Sequence, residues 1–419
     1  MLFSPGGPSN SDDFWYWVFH DLHGFNTTVS TLACNMDKTT TFFGLETINR
    51  VSFLREDEVF VKRAFEHEST QFIPFVNGSA FTEDVGNSTG VSLLMLGQQG
   101  CSNYSHWKDV LKKIGSAMDT AQGWLVESGF TVTFLGLMPG DSTFHYKEYA
   151  GTPVFAIDLR PQCGTLIEEC ETRFIVDTYQ PLGRMDAFSL SNDVASLFSH
   201  ANMYLDWLRK YLYCPGCGAR IFPVHAGTKL QCGQTDASVK CSVRDAAVSN
   251  VCFPRTDPVV IVAIVNKSFS KICLARSRRK HGDVVMYSTI AGFMEPGETV
   301  EHACQREIWE ETGISVGLNE VDILFTQPWP YPCNLMVGCL GQIDFNGVNE
   351  LINLEHDKEL LDAQWFDMEL LSQAFERYGK VPEGLVNFDD RICFPGRTAI
   401  AHQLIEHAIH RFKRTNGHL

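Results

Sequence analysis

Three glutamates stand at helical spacing in the last third of the chain: Glu307, Glu310 and Glu311. The stretch from Thr299, which suits an N-cap, to Gly313, which suits a helix end, predicts one helix of about four turns. Residues three and four apart share a helix face, so the carboxylates crowd together and repel one another. Hard divalent cations remove that repulsion and also bridge the anions of a diphosphate. The spacing therefore predicts a Mg²⁺ or Mn²⁺ site.

The same segment, from Gly292 to Ile314, resembles the Nudix box, G-x5-E-x7-R-E-U-x-E-E-x-G-U, at each fixed position. The three glutamates alone would be more typical of a solvated acidic helix face. The added Gly292, Glu298, Arg306 and Gly313 favour a catalytic site. We expect Arg306 to orient the carboxylates and Glu298 to brace the site from the start of the helix. The predicted catalytic residues are Glu298, Arg306, Glu307, Glu310 and Glu311.

Four cysteines have the spacing of metal ligands. Cys214 and Cys217 form a tight Cys-x-x-Cys knuckle, and Cys232 and Cys241 follow 15 and 24 positions after Cys217. The second pair is wider than a regular knuckle, so Cys252 is an alternative to Cys241. Buried free thiols and a redox pair are competing interpretations. Four sulfurs suit tetrahedral zinc, and the spacing favours one structural Zn²⁺ in a closed site.

A proline-rich strip follows the box: Thr326-Gln-Pro-Trp-Pro-Tyr-Pro-Cys-Asn334. It resembles the S-Q-P-W-P-F-P-x-S signature of the NADH pyrophosphatase family of Nudix hydrolases, with Thr326 and Asn334 in place of the two serines. The prolines stiffen the strip, so that Trp329 and Tyr331 can present aromatic faces to a base or to nicotinamide. A rigid surface turn and a hydrophobic interface patch are the alternatives.

The family resemblance implies a set of ligands and substrate contacts. About two to three Mg²⁺ or Mn²⁺ ions would be held by the carbonyl of Ala291 and by Glu307, Glu311 and Glu359. By sequence alone, Glu359 is an ordinary exposed carboxylate. The implied substrate-binding residues are Phe253, Ala291, Gln327, Pro328, Trp329, Pro330, Tyr331, Pro332, Cys333, Asn334 and Ala401.

The elements that position these residues predict the α/β fold class. Apolar β-type runs alternate with polar, glycine-rich breaks over residues 1–205, which indicates an N-terminal mixed α/β domain. Asp193–Leu212 has helical apolar spacing and leads into a zinc ribbon at residues 206–255. Strands around the carboxylate helix at residues 256–419 indicate a C-terminal Nudix α/β/α sandwich with a mixed sheet.

The net charge of −16, from 34 Lys and Arg against 50 Asp and Glu, has the wrong sign for holding nucleic acid by phosphate neutralisation. Any nucleotide should therefore be held locally. No apolar stretch approaches the ~20 residues that span a bilayer, and the N-terminus lacks a basic start, so we expect no membrane partner and no secretion. The terminal Gly417-His-Leu419 distantly resembles a peroxisomal tripeptide, so the expected compartment is cytoplasmic or peroxisomal.

The resemblance implies hydrolysis of the diphosphate of NADH or NAD⁺ to AMP and nicotinamide mononucleotide, reduced in the case of NADH, by a homodimer that uses metal-activated water. The alternative within this class is removal of NAD caps from RNA, which breaks the same bond. A hypothesis from another class is a zinc-ribbon interaction module without catalytic activity. The intact carboxylate set argues against that hypothesis, since a scaffold has no use for a repulsive cluster.

Overall fold

Two six-stranded mixed sheets, one in each half of the chain, carry most of the fold. The structure is a computed structural model that describes residues 41–84, 91–100, 106–118, 130–159, 173–247, 253–278, 284–378 and 384–417. These residues belong to one compact unit, Asp37–Leu419. Among the helices in the described ranges, none is both long and apolar enough to cross a membrane.

The first sheet, its helices and the described segments that connect them, from residue 41 to residue 210, form what we call the N-terminal module. Its helices are α1 (Glu58–Glu66), α2 (His106–Met118) and α3 (Asn192–Lys210). Its strands are β1 (Gln71–Val76), β2 (Ser79–Asp84), β3 (Val91–Leu93), β4 (Phe130–Met138), β5 (His145–Tyr146), β6 (Tyr149–Ala150), β7 (Thr152–Leu159) and β8 (Gln180–Pro181). The sheet order is β3–β2–β1–β7–β4, with β8 on β2. Strands β1 and β7 are parallel, whereas β4 is antiparallel to β7.

Both faces of this sheet are buried. Phe155 and Ala156, neighbours on β7, belong to different apolar clusters because successive strand residues point to opposite faces. Helix α1 starts where the Asp57 side chain accepts a hydrogen bond from the N–H of Phe60 at 3.1 Å, and Phe60 packs in the cluster of Phe155. Leu197 of α3 packs in the other cluster. The sheet therefore lies between two helical layers.

The zinc ribbon follows α3, the helix that the sequence predicts at Asp193–Leu212. It contains an antiparallel hairpin of β9 (Ile221–Val224) and β10 (Lys229–Cys232). The turn of this hairpin lies against β4, where the N–H of Phe134 donates to the carbonyl of Ala226 at 2.9 Å. Gly227 has a φ of 82°, and a Cβ there would overlap the carbonyl oxygen of Val132. The ribbon is thus packed on the N-terminal module through a turn that only glycine fits.

The second sheet and its helices form the Nudix module. Its helices are α4 (Val300–Thr312), α5 (Met368–Tyr378) and α6 (Ile400–Thr415). Its strands are β11 (Asp257–Asn266), β12 (Lys271–Ser277), β13 (Val285–Met286), β14 (Ile290–Phe293), β15 (Val321–Trp329), β16 (Asn334–Ile343), β17 (Leu360–Asp367), β18 (Val386–Asn387) and β19 (Ile392–Phe394). The sheet order is β15–β16–β11–β12–β17, with β14 on β11, and β13, β19 and β18 form a small separate sheet.

Strand alternation explains the layers of this module. Val260 and Val262 of β11 pack with Ile308 of α4. On β16, a Cβ at Gly338 would press against the side chain of Ile400 at the start of α6, so this helix covers the other face. Strands β11 and β16 are parallel, whereas β15 and β12 are antiparallel to their neighbours. The predicted α/β/α sandwich with a mixed sheet is confirmed.

We expect Gly227→Ala to lower the melting temperature more than Gly218→Ala. Both glycines have positive φ, 82° and 74°. Backbone strain should therefore lower the free energy of unfolding of each alanine variant by about 1–2 kcal/mol. A Cβ added at residue 218 would lie in open space, whereas a Cβ added at residue 227 would overlap the carbonyl oxygen of Val132. Thermal denaturation of the two variants checks this. Equal losses would contradict the packing of the ribbon turn on β4.

Candidate active site

The carboxylate helix α4 begins and ends where the sequence predicts. The hydroxyl of Thr299 accepts a hydrogen bond from the N–H of His302 at 3.3 Å. Gly313 has a φ of 71°, and its N–H donates to the carbonyl of Trp309 at 2.8 Å, as helix-ending glycines commonly do. These local signals set the bounds of the helix and so the face on which its glutamates lie.

All of the donors of Arg306 are used within the site. Nε and Nη2 donate to the two oxygens of Glu298 at 2.6 and 2.9 Å. Nη1 donates to Glu307 at 2.7 Å and to Glu310 at 3.1 Å, and Nη2 also donates to the carbonyl of Phe293 at 2.9 Å. A guanidinium group has five N–H donors in a fixed fork. Arg306 therefore positions the carboxylates and has no donor left for a substrate.

Glu298 is held as an anion at the start of the site. Its hydrogen bonds with Arg306 lower the pKa of Glu298 to about 2. The N–H of Glu295 donates to the same carboxylate at 2.8 Å. The loop before α4 is thereby tied to the helix.

Gly292 lets the Glu307 carboxylate lie directly against β14. A Cβ at residue 292 would overlap that carboxyl group. This overlap explains why the box begins with a glycine. Ala291, the predicted carbonyl ligand, precedes it and pairs with Ile261 of β11. Burial raises the pKa of Glu307, and the Arg306 guanidinium opposes that rise.

Glu311 is the most constrained carboxylate of the site. It is only 6% exposed. Burial, followed by the charges of Glu307, Glu359, Asp357 and Glu310, raises the pKa of Glu311 to about 8. A buried group surrounded by like charges is stabilised as an anion by a cation at short range. The donor set, all hard oxygens, fits Mg²⁺ or Mn²⁺.

Asp357 is a member of this cluster that the sequence analysis missed. It lies two positions before Glu359, and its carboxylate accepts a hydrogen bond from the N–H of Glu359 at 3.1 Å. The ring of His356 stacks on Trp309 of α4 with 4.4 Å between ring centroids. This stack holds the loop against the helix and brings its carboxylates near Glu311. The only available sequence signal was the proximity of Asp357 to Glu359.

The four predicted zinc ligands come together in space. The Sγ atoms of Cys214 and Cys241 are 3.5 Å apart, those of Cys217 and Cys232 are 3.4 Å apart, and all four lie within 4.8 Å of one another. Sulfurs around a tetrahedral zinc ion would be about 3.8 Å apart. Cys252, the alternative ligand, lies outside the described residues.

The thiols of this cluster differ in how readily they ionise. The N–H of Arg244 donates to the Sγ of Cys241 at 3.2 Å, and this bond lowers the pKa of Cys241 to about 7. Burial raises the pKa of Cys232 to about 12. Because four thiolates this close together repel one another, they require a cation between them. Four sulfur ligands fit zinc.

The aromatic residues of the strip contact the N-terminal module. Trp329 packs against Phe43 and Phe188, with ring centroids 6.0 and 5.6 Å apart. Tyr331 packs against the same two rings, and the guanidinium of Arg184 lies 4.7 Å from the centroid of the Tyr331 ring. One of the alternatives stated for the strip was a hydrophobic interface patch, and the structure shows such a contact between the strip and the N-terminal module. A substrate contact for these rings stays a prediction.

The other predicted substrate contacts are spread over several elements. Gln327 and Ala401 are buried, on β15 and α6. The side-chain oxygen of Asn334 is buried and lacks a hydrogen-bond partner among the described residues. Phe253 is 50% exposed, and the Nζ of Lys229 lies 5.6 Å from its ring centroid. The rest of the strip spans the end of β15 and the turn into β16, with Pro328, Pro330, Pro332 and Cys333.

Two known domains match this chain. Residues 255–384 match the NUDIX domain, and residues 209–240 match the NADH pyrophosphatase zinc ribbon domain. The first contains the carboxylate helix and the strip, and the second contains three of the four cysteines. The fold, the site and these matches define a zinc-ribbon Nudix hydrolase.

Relatives extend the match to nearly the whole chain. The chain is 48% identical over 391 residues to the NAD-capped RNA hydrolase NPY1 of Saccharomyces cerevisiae, covering 90% of this chain and 97% of that protein. It is 30% identical to the NAD-capped RNA hydrolase of Schizosaccharomyces pombe, covering 87% of this chain and 92% of that protein. NudC of Vibrio atlanticus is 34% identical, over 50% of this chain and 68% of that protein. The chain belongs to the NADH pyrophosphatase type of Nudix hydrolases, as the box and the strip predict.

Glu311→Gln should lose turnover by orders of magnitude, because an amide keeps the shape but removes a hard anionic ligand. In buffer free of Mg²⁺ and Mn²⁺ the same variant should melt a few degrees higher than the wild type near neutral pH. The folded-state pKa of about 8 exceeds that of an unfolded glutamate, so the folded state loses stability as pH rises toward that value. Glutamine removes this loss. Kinetics and thermal denaturation measure the two effects.

Glu301→Gln, in the first turn of the same helix, is the control. It should leave kcat unchanged, and it should not raise the melting temperature, because hydrogen bonds from its own N–H and from Thr299 lower the pKa of Glu301 in the folded state. Near-normal kcat for Glu311→Gln at saturating metal would show that α4 is not the metal site.

Cys214→Ser should release zinc and destabilise the protein, because a closed site with four ligands contributes folding energy. The control is Cys393→Ser, which changes another buried thiol without affecting the zinc content. Elemental analysis and thermal denaturation measure the outcome. Wild-type protein purified without chelator and found free of zinc would refute a zinc site.

Proposed function

We propose that this chain hydrolyses the diphosphate of NADH and NAD⁺ to AMP and nicotinamide mononucleotide. The observation that carries the proposal is the crowding of carboxylates around the buried Glu311, in a family of hydrolases that act on diphosphates of nucleosides. A cluster of this kind destabilises the folded protein unless bound protons or cations compensate its negative charge. A diphosphate supplies bridging anions to the same cations.

The carboxylates would hold the cations and take a proton, while Arg306 and Glu298 keep them in place. Mg²⁺ or Mn²⁺, when bound, would neutralise the diphosphate and activate the attacking water. The water oxygen forms a bond to one phosphorus, and the bond from that phosphorus to the bridging oxygen breaks. Glu307, Glu310, Glu311 or Glu359 accepts the proton from the water.

The ligand assignments follow the family resemblance. We assign about two to three Mg²⁺ or Mn²⁺ ions to the Ala291 carbonyl, Glu307, Glu311 and Glu359, and one Zn²⁺ to the four cysteines. The raised pKa of Glu311 and the exposed position of Ala291 on β14 support the first assignment. The sulfur distances support the second.

NAD-capped RNA is the second candidate substrate. The two yeast relatives are named NAD-capped RNA hydrolases, and both matches cover most of this chain. The bond broken would be the same, with RNA as the longer leaving group. Because the net charge is −16, we propose that the cap is recognised locally and that the RNA body contributes little affinity.

Three further expectations complete the proposal. We propose a homodimer, as the family resemblance implies, and a cytoplasmic or peroxisomal location. His418 and Leu419, part of the weak peroxisomal signal, lie outside the described residues. The domain division at residues 205 and 255 remains our proposal.

Product analysis tests the substrate. Purified protein with Mg²⁺ or Mn²⁺ should convert NADH to AMP and reduced nicotinamide mononucleotide, and NAD-capped RNA to a 5′-monophosphate end. NAD⁺, ADP-ribose and diadenosine polyphosphates complete the panel and give the order of kcat/KM. Turnover of ADP-ribose or diadenosine polyphosphates without any turnover of NADH, NAD⁺ or capped RNA would contradict the assignment.

A further inference from the structure

The side chain of Gln327 joins three parts of the molecule. It is only 1% exposed and projects from β15, opposite Met336 of β16. Its Nε2 donates to the carbonyl of Phe42 at 3.0 Å and to the carbonyl of Thr398 at 2.9 Å. Its Oε1 accepts from the N–H of Ile400 at 2.9 Å. Both amide protons and the amide oxygen are thus engaged within the protein.

The bond to Ile400 completes the start of α6. The first N–H groups of a helix have no partner within the helix, and they are usually satisfied by a polar N-cap side chain. The N-cap of α6 is Ala399, which makes no such bond. Gln327 supplies the missing acceptor from the neighbouring strand. The next residue of the helix, Ala401, is one of the predicted nucleotide contacts.

The bond to Phe42 ties the same amide to the N-terminal module. The adjacent Phe43 packs on Trp329 and Tyr331, and Phe188 of the same module contacts both rings. A Cβ at Gly44 would lie 2.9 Å from Cδ of Pro328, so the module also fits closely against the first proline of the strip. The strip therefore has a backing surface provided by Phe188 and by a segment that includes Phe42, 285 positions before Gln327 in the sequence.

We infer that Gln327 is a positioning residue through which the N-terminal module sets the geometry of the strip and of the start of α6, and thereby selects the substrate. This inference rests on the proposed function, because the strip and Ala401 are the predicted contacts to the dinucleotide. It differs from a direct substrate contact, since the Gln327 amide has no free proton to offer. The role of the N-terminal module is then to shape a pocket whose chemistry lies in the Nudix module.

Gln327→Met tests the inference, because it keeps the length of the side chain and removes all three hydrogen bonds. The KM for NADH should rise by about tenfold with kcat nearly unchanged, since the metal ligands are untouched. Gln342→Met is the matched control. Gln342 lies on the adjacent strand, and its Nε2 donates to Asp322 at 3.4 Å within the same sheet. This control should leave KM unchanged.

Hydrogen exchange gives a readout that does not depend on activity. The backbone amide of Ile400 should exchange faster in Gln327→Met and stay protected in Gln342→Met. Phe188→Ala removes a ring that backs the strip without touching Gln327, and it should also raise KM. If Gln327→Met does not fold, the inference is tested with Phe188→Ala. An unchanged KM in folded Phe188→Ala would overturn the inference.

The outcomes separate the inference from the proposed function. Wild-type protein that does not turn over NADH or NAD-capped RNA refutes the function, whereas the exchange at Ile400 still reports on the Gln327 contacts. A raised KM together with faster exchange at Ile400 supports the inference. Unchanged KM and unchanged exchange in Gln327→Met overturn it, as does a fall in kcat at constant KM.

Discussion

The burial of Glu311 among neighbouring carboxylates is the constraint on which the rest of the structure depends. Glu311 is almost completely buried next to Glu307, Glu310, Asp357 and Glu359. Its burial first, and the charges of these neighbours second, raise its pKa to about 8. One guanidinium group compensates part of it, because Arg306 contacts three glutamates with four of its five donors. The remaining negative charge is what a divalent cation would bind.

The scaffold around that cluster is built to hold it rigidly. Gly292 allows a carboxylate to lie against a strand, Glu298 ties the preceding loop to Arg306, and the Trp309–His356 stack fixes the loop of Glu359. Each of these contacts fixes the position of a charged group of the site. Catalytic groups need this kind of support because small displacements of ligands reduce the stabilisation of the transition state.

The parts predictable from the sequence are those governed by local signals. Thr299 and Gly313 predicted the bounds of α4, and the box spacing predicted which glutamates share its face. Cysteine spacing predicted a metal cluster with Cys241 or Cys252 as its fourth member, and the structure brings Cys214, Cys217, Cys232 and Cys241 together. Apolar periodicity likewise predicted α3 and the mixed α/β class. These features depend on residues within a few turns or strands of one another.

The parts that could not be predicted depend on contacts distant in sequence. Gln327 bonds to Phe42 across 285 positions, and no local pattern indicates that the rings of Trp329 and Tyr331 meet Phe43 and Phe188. From the sequence, a stiff aromatic strip was compatible with both a substrate platform and an interface. Asp357 was missed for a similar reason, because only the fold brings its loop to Glu311.

Proton release on cation binding tests the central claim most directly. Near pH 7 Glu311 is mostly protonated if its pKa is about 8, so a cation that binds its carboxylate must displace that proton. Calorimetric titration of zinc-loaded protein with Mg²⁺, in buffers of different ionisation enthalpy, should show release of about one proton per chain at roughly pH 7 and almost none above roughly pH 9.5. Glu311→Gln should release none. Binding of Mg²⁺ without proton release at the lower pH, or equal release from Glu311→Gln, would contradict a cation site centred on the buried carboxylate.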